Sequence, residues 1–155
     1  MTRPTPELSI ADIEEFMKHE FESFSNDDAV DLGLTAVEVI IDWELNLAVD
    51  IMIGSDLVFR AKLGTTGADN DPWLAGKAAV VREFGEPSLL VKLRHEAAGT
   101  RFTDLALDHS VLKAHGGSIP IRVAGEIVGT ITMSGEPDTI DHEAAAEAIT
   151  RYLDA

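Results

Sequence analysis

The stretch from His115 to His142 reads HGGSIPIRVAGEIVGTITMSGEPDTIDH, and its middle decides the fold. Ile119, Ile121 and Val123 fall on alternate positions, as do Val128, Thr130 and Thr132. A period of two marks a strand, and Gly125-Glu126 between the two runs predicts a tight hairpin. With those two residues as the loop, Arg122 faces Gly129 and both sheet faces carry apolar groups, as expected of a central pair covered on both sides. Gly116-Gly117 precedes the hairpin and Ser134-Gly135 follows it.

Downstream, Asp138 or Thr139 is placed to cap a helix with Ile140, Ala144, Ala148, Ile149 and Leu153 inward. Upstream, Asp108 caps a short turn, HSVLKA, while Arg101 to Asp108 has no single period. Before that, Asp71 caps and Pro72 opens a helix with Trp73, Leu74, Ala78, Val80, Val81 and Phe84 as its buried stripe and Gly85 as its stop. Pro87 restarts the pattern through Leu89, Leu90, Leu93 and Ala97 to Gly99. Residues 71–97 therefore read as a broken or kinked helix, with a strand over Ser88 to Leu93 as the alternative. Lys77 follows Trp73 by four residues, which sets ammonium and indole on one helix face for a cation–π or stem-packing contact.

The first half follows the same logic. Met1 to Thr5 reads as an arm. Leu8, Ile10, Ile13, Phe16, Met17, Phe21 and Phe24 predict an amphipathic helix over roughly 7–24, with His19 on its surface. Ser25 caps a second helix over about 26–43, with Asp27 and Asp28 in its first turn and Trp43 in the core. Leu47 to Ile53 and Leu57 to Leu63 read as strands joined by Gly54-Ser55-Asp56. Gly64 to Asp71, GTTGADND, reads as a helix entry or an ion-binding loop.

This order does not alternate β with α, so an antiparallel sheet with helices on its faces is expected rather than a parallel doubly wound one. At 155 residues the chain is read as one domain, 1–155, able to bury its own core. It has no cysteine, which excludes disulfides, thiolate nucleophiles and zinc fingers and suits a cytoplasmic protein. No segment suggests a membrane span. Asp and Glu outnumber Lys and Arg by 28 to 12, and a formal charge of −16 repels nucleic acid.

The phosphate-loop, dinucleotide-binding and GxSxG patterns are all missing, and His95 and His109 lack the spacing of a local zinc site. His115-Gly116-Gly117 supports two readings. Paired glycines let backbone approach a ligand beside an imidazole able to bind metal or move protons. Equally, they stop a helix and turn the chain. Asp141-His142 adds a carboxylate and a second imidazole, which adjacent helical positions point about 100° apart.

DNDPWLAGK from Asp69 to Lys77, Phe84-Gly85, AHGGSIPIRV from Ala114 to Val123, VGTITMSG and Asp141-His142 together resemble the haem-degrading-domain superfamily, HbpS-like and GlcG-like, in its small stand-alone uncharacterised branch. The resemblance implies a three-layer α/β/α arrangement, a profilin-like, mainly antiparallel five-stranded sheet with helices on both faces, and symmetric homo-oligomers. It also implies haem or iron as cofactor. The branch's recurrent positions fall here on Asp69, Asn70, Trp73, Lys77, His115, Gly116, Gly117, Pro120, Ser134, Gly135, Asp141 and His142. The chain departs at Gly76, where relatives place a basic residue, and at Glu86-Pro87-Ser88, where they show paired serines, so anion contacts are not carried over there.

The functional expectation is a multimeric small-ligand-binding protein. Its site is drawn from those residues, with His115 as metal ligand and Lys77 or Arg122 available to haem propionates. The alternatives are an oligomeric adaptor anchored on Trp73, and an enzyme on a small hydroxy-acid or corrinoid-pathway metabolite with His115 as acid or base.

Overall fold

The computed structural model describes residues 3–155, so Met1 and Thr2 of the expected arm lie outside the described residues. Its elements are α1 (Ile10–Phe16), α2 (Asn26–Asp42), β1 (Ala48–Ile53), β2 (Asp56–Lys62), α3 (Asp71–Phe84), α4 (Ser88–Ala97), β3 (Ser118–Val123), β4 (Glu126–Ser134) and α5 (Asp138–Asp154). Single 3₁₀ turns at Ala68–Asn70 and Phe102–Asp104 join them. The sheet order is β2-β1-β4-β3, and every neighbouring pair is antiparallel.

Strand alternation sorts the two faces. Val49, Ile51, Ile119, Ile121, Ile131 and Met133 are buried on one face beneath α2 and α5, in the main core. Each such aliphatic side chain contributes about 1.5–3 kcal/mol on burial. The other face carries Asp50, Ser118, Thr130, Thr132 and Ser134, all buried. There α3 crosses β3 and β4, its first residue Asp71 bonded to Lys62 at 2.8 Å and its last turn reaching Met52 through Arg82. In this polar layer Asp50 is held by Arg60 through two 2.7 Å bonds and Ser118 Oγ lies 2.9 Å from Thr132 Oγ1, while the Thr130 hydroxyl has no partner among the described residues.

The sheet has four strands rather than the expected five, because the place beside β3 is taken. On that edge Ser118 donates its N–H to the Ser88 hydroxyl, Pro120 has no N–H, and the Arg122 carbonyl accepts the Phe21 N–H at 2.8 Å. Phe21 forms only an isolated parallel bridge with Val123.

That bridge also corrects the first helix, which ends at Phe16 instead of running to about 24. The apolar stripe divides between two clusters. Leu8, Ile10, Ile13 and Met17 pack on Leu89 and Leu90, while Phe21 and Phe24 join the main core with Tyr152. His19 is half-buried between the Phe16 and Phe21 rings rather than on the surface.

α2 begins at Ser25 in a reciprocal cap with Asp28, as its sequence indicates. Trp43 packs partly buried on the main core with the Arg3 guanidinium 3.5 Å above its ring. Residues 71–97 form two helices, separated by left-handed Gly85 and by Pro87, which excludes the strand alternative.

The β3–β4 loop is Ala124-Gly125, one residue earlier than expected, because both adopt positive φ (52° and 80°) as a type I′ turn requires. A bulge after Ile121 then sets Arg122 opposite Ile127, and Gly129 opposite Ile121. Ile140, Ala144, Ala148 and Ile149 are buried along α5, but Leu153 is exposed near its end.

Candidate functional site

The elements converge on a cleft of about 390 Å³ lined by Asn70, Trp73, Lys77, His115, Ser134, Gly135, Glu136, Asp138 and Asp141. The first turns of α3 and α5 supply opposite walls, and the turn after β4 supplies the floor. Lys77 lies at the bottom, fully buried, with Nζ donating to the Met133 carbonyl at 2.9 Å and to Asp141 Oδ2 at 3.0 Å. Asp141 Oδ1 accepts the Glu136 N–H at 3.0 Å. Burial pushes the Asp141 carboxyl up to about 6, with the Lys77 ammonium only partly offsetting it.

Lys77 does not meet Trp73 as its spacing suggests. Its stem turns inward to a buried carboxylate, and Lys113 stands over the indole instead, 4.6 Å from the ring centre. Trp73 itself is exposed at the rim rather than part of a buried stripe. Gly76 makes this arrangement possible, since a Cβ there would lie 2.6 Å from the Lys113 side chain. Lys113 thus occupies the space of the basic side chain that the resemblance assigns to position 76.

Above Lys77 stands His115, half exposed, with the Trp73 ring edge-on at 5.3 Å. Its Nδ1 lies 3.9 Å from Asp138 Oδ2. Neither Asp138 nor Thr139 caps α5 by a side chain; Pro137 holds that position. The Asp138 carboxylate is committed elsewhere, to the Gly116 N–H at 3.0 Å and to Lys92 at 2.8 Å. Burial alone would raise its pKa, but these two donors hold it below the usual carboxylate range. Burial and then the Lys92 ammonium hold the His115 imidazole below its ordinary value, so it is neutral near pH 7. His115 is also a wall of a second cleft, of about 260 Å³, with Phe102, His95, Lys92 and Arg101.

Gly116 and Gly117 lie behind the cleft. A Cβ at Gly116 would come 2.3 Å from the Asp138 carbonyl, and one at Gly117 2.3 Å from the Met133 carbonyl and 3.0 Å from Lys77 Nζ. The glycine pair thus packs the turn against α5 and makes room for the ammonium.

Asn70 is the N-cap residue of α3, a place the spacing assigned to Asp71. Its Oδ1 accepts the Gly67 N–H at 3.0 Å and its Nδ2 lies 3.4 Å from Ser134 Oγ. Asp69 is exposed and outside the cleft. His142 is buried away from it, with Nδ1 unpartnered. Arg122 lies beside Glu20 and Arg94, far from these residues in the fold. Sequence reasoning missed Glu136, Asp138, Lys92 and Lys113. Only Asp138 carried a local signal, as the acid opening α5.

These features define a three-layer α/β/α protein with a polar cleft between the first turns of two helices. The model of the haem-degrading HbpS-like family matches residues 24–150, and the chain belongs to that family. It is 40% identical over 155 residues to a UPF0303 protein of Streptomyces coelicolor, with 98% of each chain covered. Among solved structures, the Ybr137w protein superposes with a TM-score of 0.84 at 22% identity, covering 96% of this chain and 90% of the other. A PduOC–haem complex gives 0.69 at 18% identity, covering 83% and 94%. These two structural likenesses concern the fold.

Proposed function

We propose that this protein binds a haem-type tetrapyrrole at His115, as a homo-oligomeric cytoplasmic protein. The observation that carries the reading is the setting of His115, a neutral imidazole with a carboxylate beside Nδ1 and an open face shared by two clefts. Carboxylate support of the far ring nitrogen is a common orienting device for metal-bound histidines. Among the described residues no cluster of three or more His, Asp or Glu donors forms. His115 would therefore hold such a group by a single imidazole, which suits an iron already carried by a macrocycle.

The surroundings fit the group. Phe102 gives the second cleft an aromatic wall, and Arg101 brings a cation that suits a carboxylate substituent in spite of the overall charge of −16, whereas Lys92 is already bonded to Asp138. Lys77 is already committed to Asp141, so it serves as floor rather than as a propionate partner. A bound haem supplies an iron that accepts a further ligand and changes oxidation state. The chain's own residues place the Asp138 carboxylate 3.9 Å from Nδ1 and set the Trp73 ring edge-on against the imidazole. The solved PduOC–haem complex and the family's description support the same ligand class. Trp73, exposed at the rim, is where a second copy would meet the site.

Hemin titration of the whole protein tests this reading, with light scattering on the same samples. A saturable Soret shift is expected, weakened at least tenfold in His115→Ala and less in Asp138→Asn. A shift that does not saturate, or that His115→Ala leaves unchanged, would refute it.

A further inference from the structure

Val30, Leu34, Val37 and Ile41 of α2 are spaced four, three and four residues apart; Val37 is half-buried against the main core and the other three face outward. That spacing is the a/d interval of a helix–helix seam. Val30, Leu34 and Ile41 are 39%, 53% and 60% exposed, whereas a helix covering only its own sheet needs no second apolar stripe. Asp27, Asp31, Glu38 and Asp42 repeat beside the stripe, so a row of carboxylates runs along one flank. The other flank runs into the body of the protein at Gly33, where the Phe59 ring packs. α2 contains no Lys, Arg or His. Asp42 is paired with Arg151 at 2.7 Å, and among the described residues Asp27, Asp31 and Glu38 have no ion pair.

We infer that α2 is a docking face for an amphipathic helix of a different protein, one with a Lys- or Arg-rich edge beside its apolar seam. Charge complementarity selects this occupant. An isologous antiparallel pairing of two α2 helices would set one row of carboxylates against the other. An anionic membrane surface is repelled by the same row. A basic helix instead lays its apolar positions along Val30 to Ile41 and its cations along Asp27 to Glu38. The inference does not depend on the ligand of the His115 clefts.

The test uses two fluorescent synthetic helices of about three heptads, with Leu at a and d and either Lys or Glu at e and g, titrated against the whole protein. The Lys peptide is expected to bind saturably and the Glu peptide not to bind. The double variant Leu34→Asp, Ile41→Asp should weaken the Lys peptide at least tenfold although it adds negative charge. Because both positions are exposed, its circular dichroism and melting temperature should match those of the parent. Charge reversal by Asp31→Lys with Glu38→Lys should transfer binding to the Glu peptide. If the Asp double variant binds the Lys peptide as well as the parent does, the contact is diffuse attraction to an acidic protein and the inference fails. It fails also if neither peptide saturates, or if the parent is an oligomer that the same double variant dissolves into monomers, which would make a second copy the occupant.

Discussion

At the scale of single residues, the Lys77–Asp141 pair carries a heavy desolvation cost. Two charges leave water completely, and their attraction offsets that loss only while both are present. Lys77→Met alone should therefore cost about 3–5 kcal/mol, since Asp141 is left buried without its cation. The double variant Lys77→Met, Asp141→Leu should recover that loss and end between neutral and about 4 kcal/mol more stable than the parent. Urea unfolding of the parent, both single variants and the double variant checks this; additive losses would show that the two charges do not act as a pair. The pairing itself was not legible in the sequence. Lys77 and Asp141 are 64 positions apart, and the local spacing of Lys77 pointed instead to Trp73. Lys113, which does cover Trp73, lies 40 positions away on a turn that carries no periodic signal.

At the scale of elements, the parts read correctly were those whose signals are local. Ser25 and Asp28 close a reciprocal cap within four residues, and the β3–β4 hairpin announces itself by period two and a glycine turn. The helical spacing runs past the end of the first helix because Phe21 and Phe24 keep it while Phe21 bonds to Arg122, about a hundred positions away. No local rule contains that bond. The glycine pair before β3 offered two readings, and the packing supplies a reason for glycine at both positions. Gly117 has φ 138°, and a Cβ there would strike the Met133 carbonyl. Gly117→Ala should cost 3 kcal/mol or more, on the order of combined backbone strain and overpacking. Gly67→Ala, where a Cβ meets nothing, should cost less than about 1 kcal/mol. Thermal melts of the two variants compare them directly, and equal losses would contradict the packing role assigned to Gly117.

At the scale of the whole molecule, two buried groups titrate in opposition. Burial lowers His142 to about 4, so the folded protein resists its protonation while the unfolded chain accepts a proton near 6.5. Stability from His142 is complete above pH 6.5 and falls as the pH drops toward 4. Asp141, raised to about 6, does the reverse: its contribution is complete below about pH 3.8 and is lost as the pH rises through 6. Between pH 4 and 6 the two slopes nearly cancel, and the pair should give the parent a flat profile there. His142→Leu removes one slope, so that variant should gain about 2 kcal/mol on acidification from pH 6.5 to 4. Urea midpoints across that range decide the matter, and parallel profiles for parent and variant would refute it.

The two edges of the sheet are unequal. Along β3 the outward groups are spent on Ser88 and Phe21 or missing at Pro120, whereas among the described residues β2 has no strand on its outer side. Growth by strand addition is therefore one-sided. Two copies that join β2 to β2 leave only sealed ends outside, so such a ribbon terminates at eight strands and cannot propagate into a fibre.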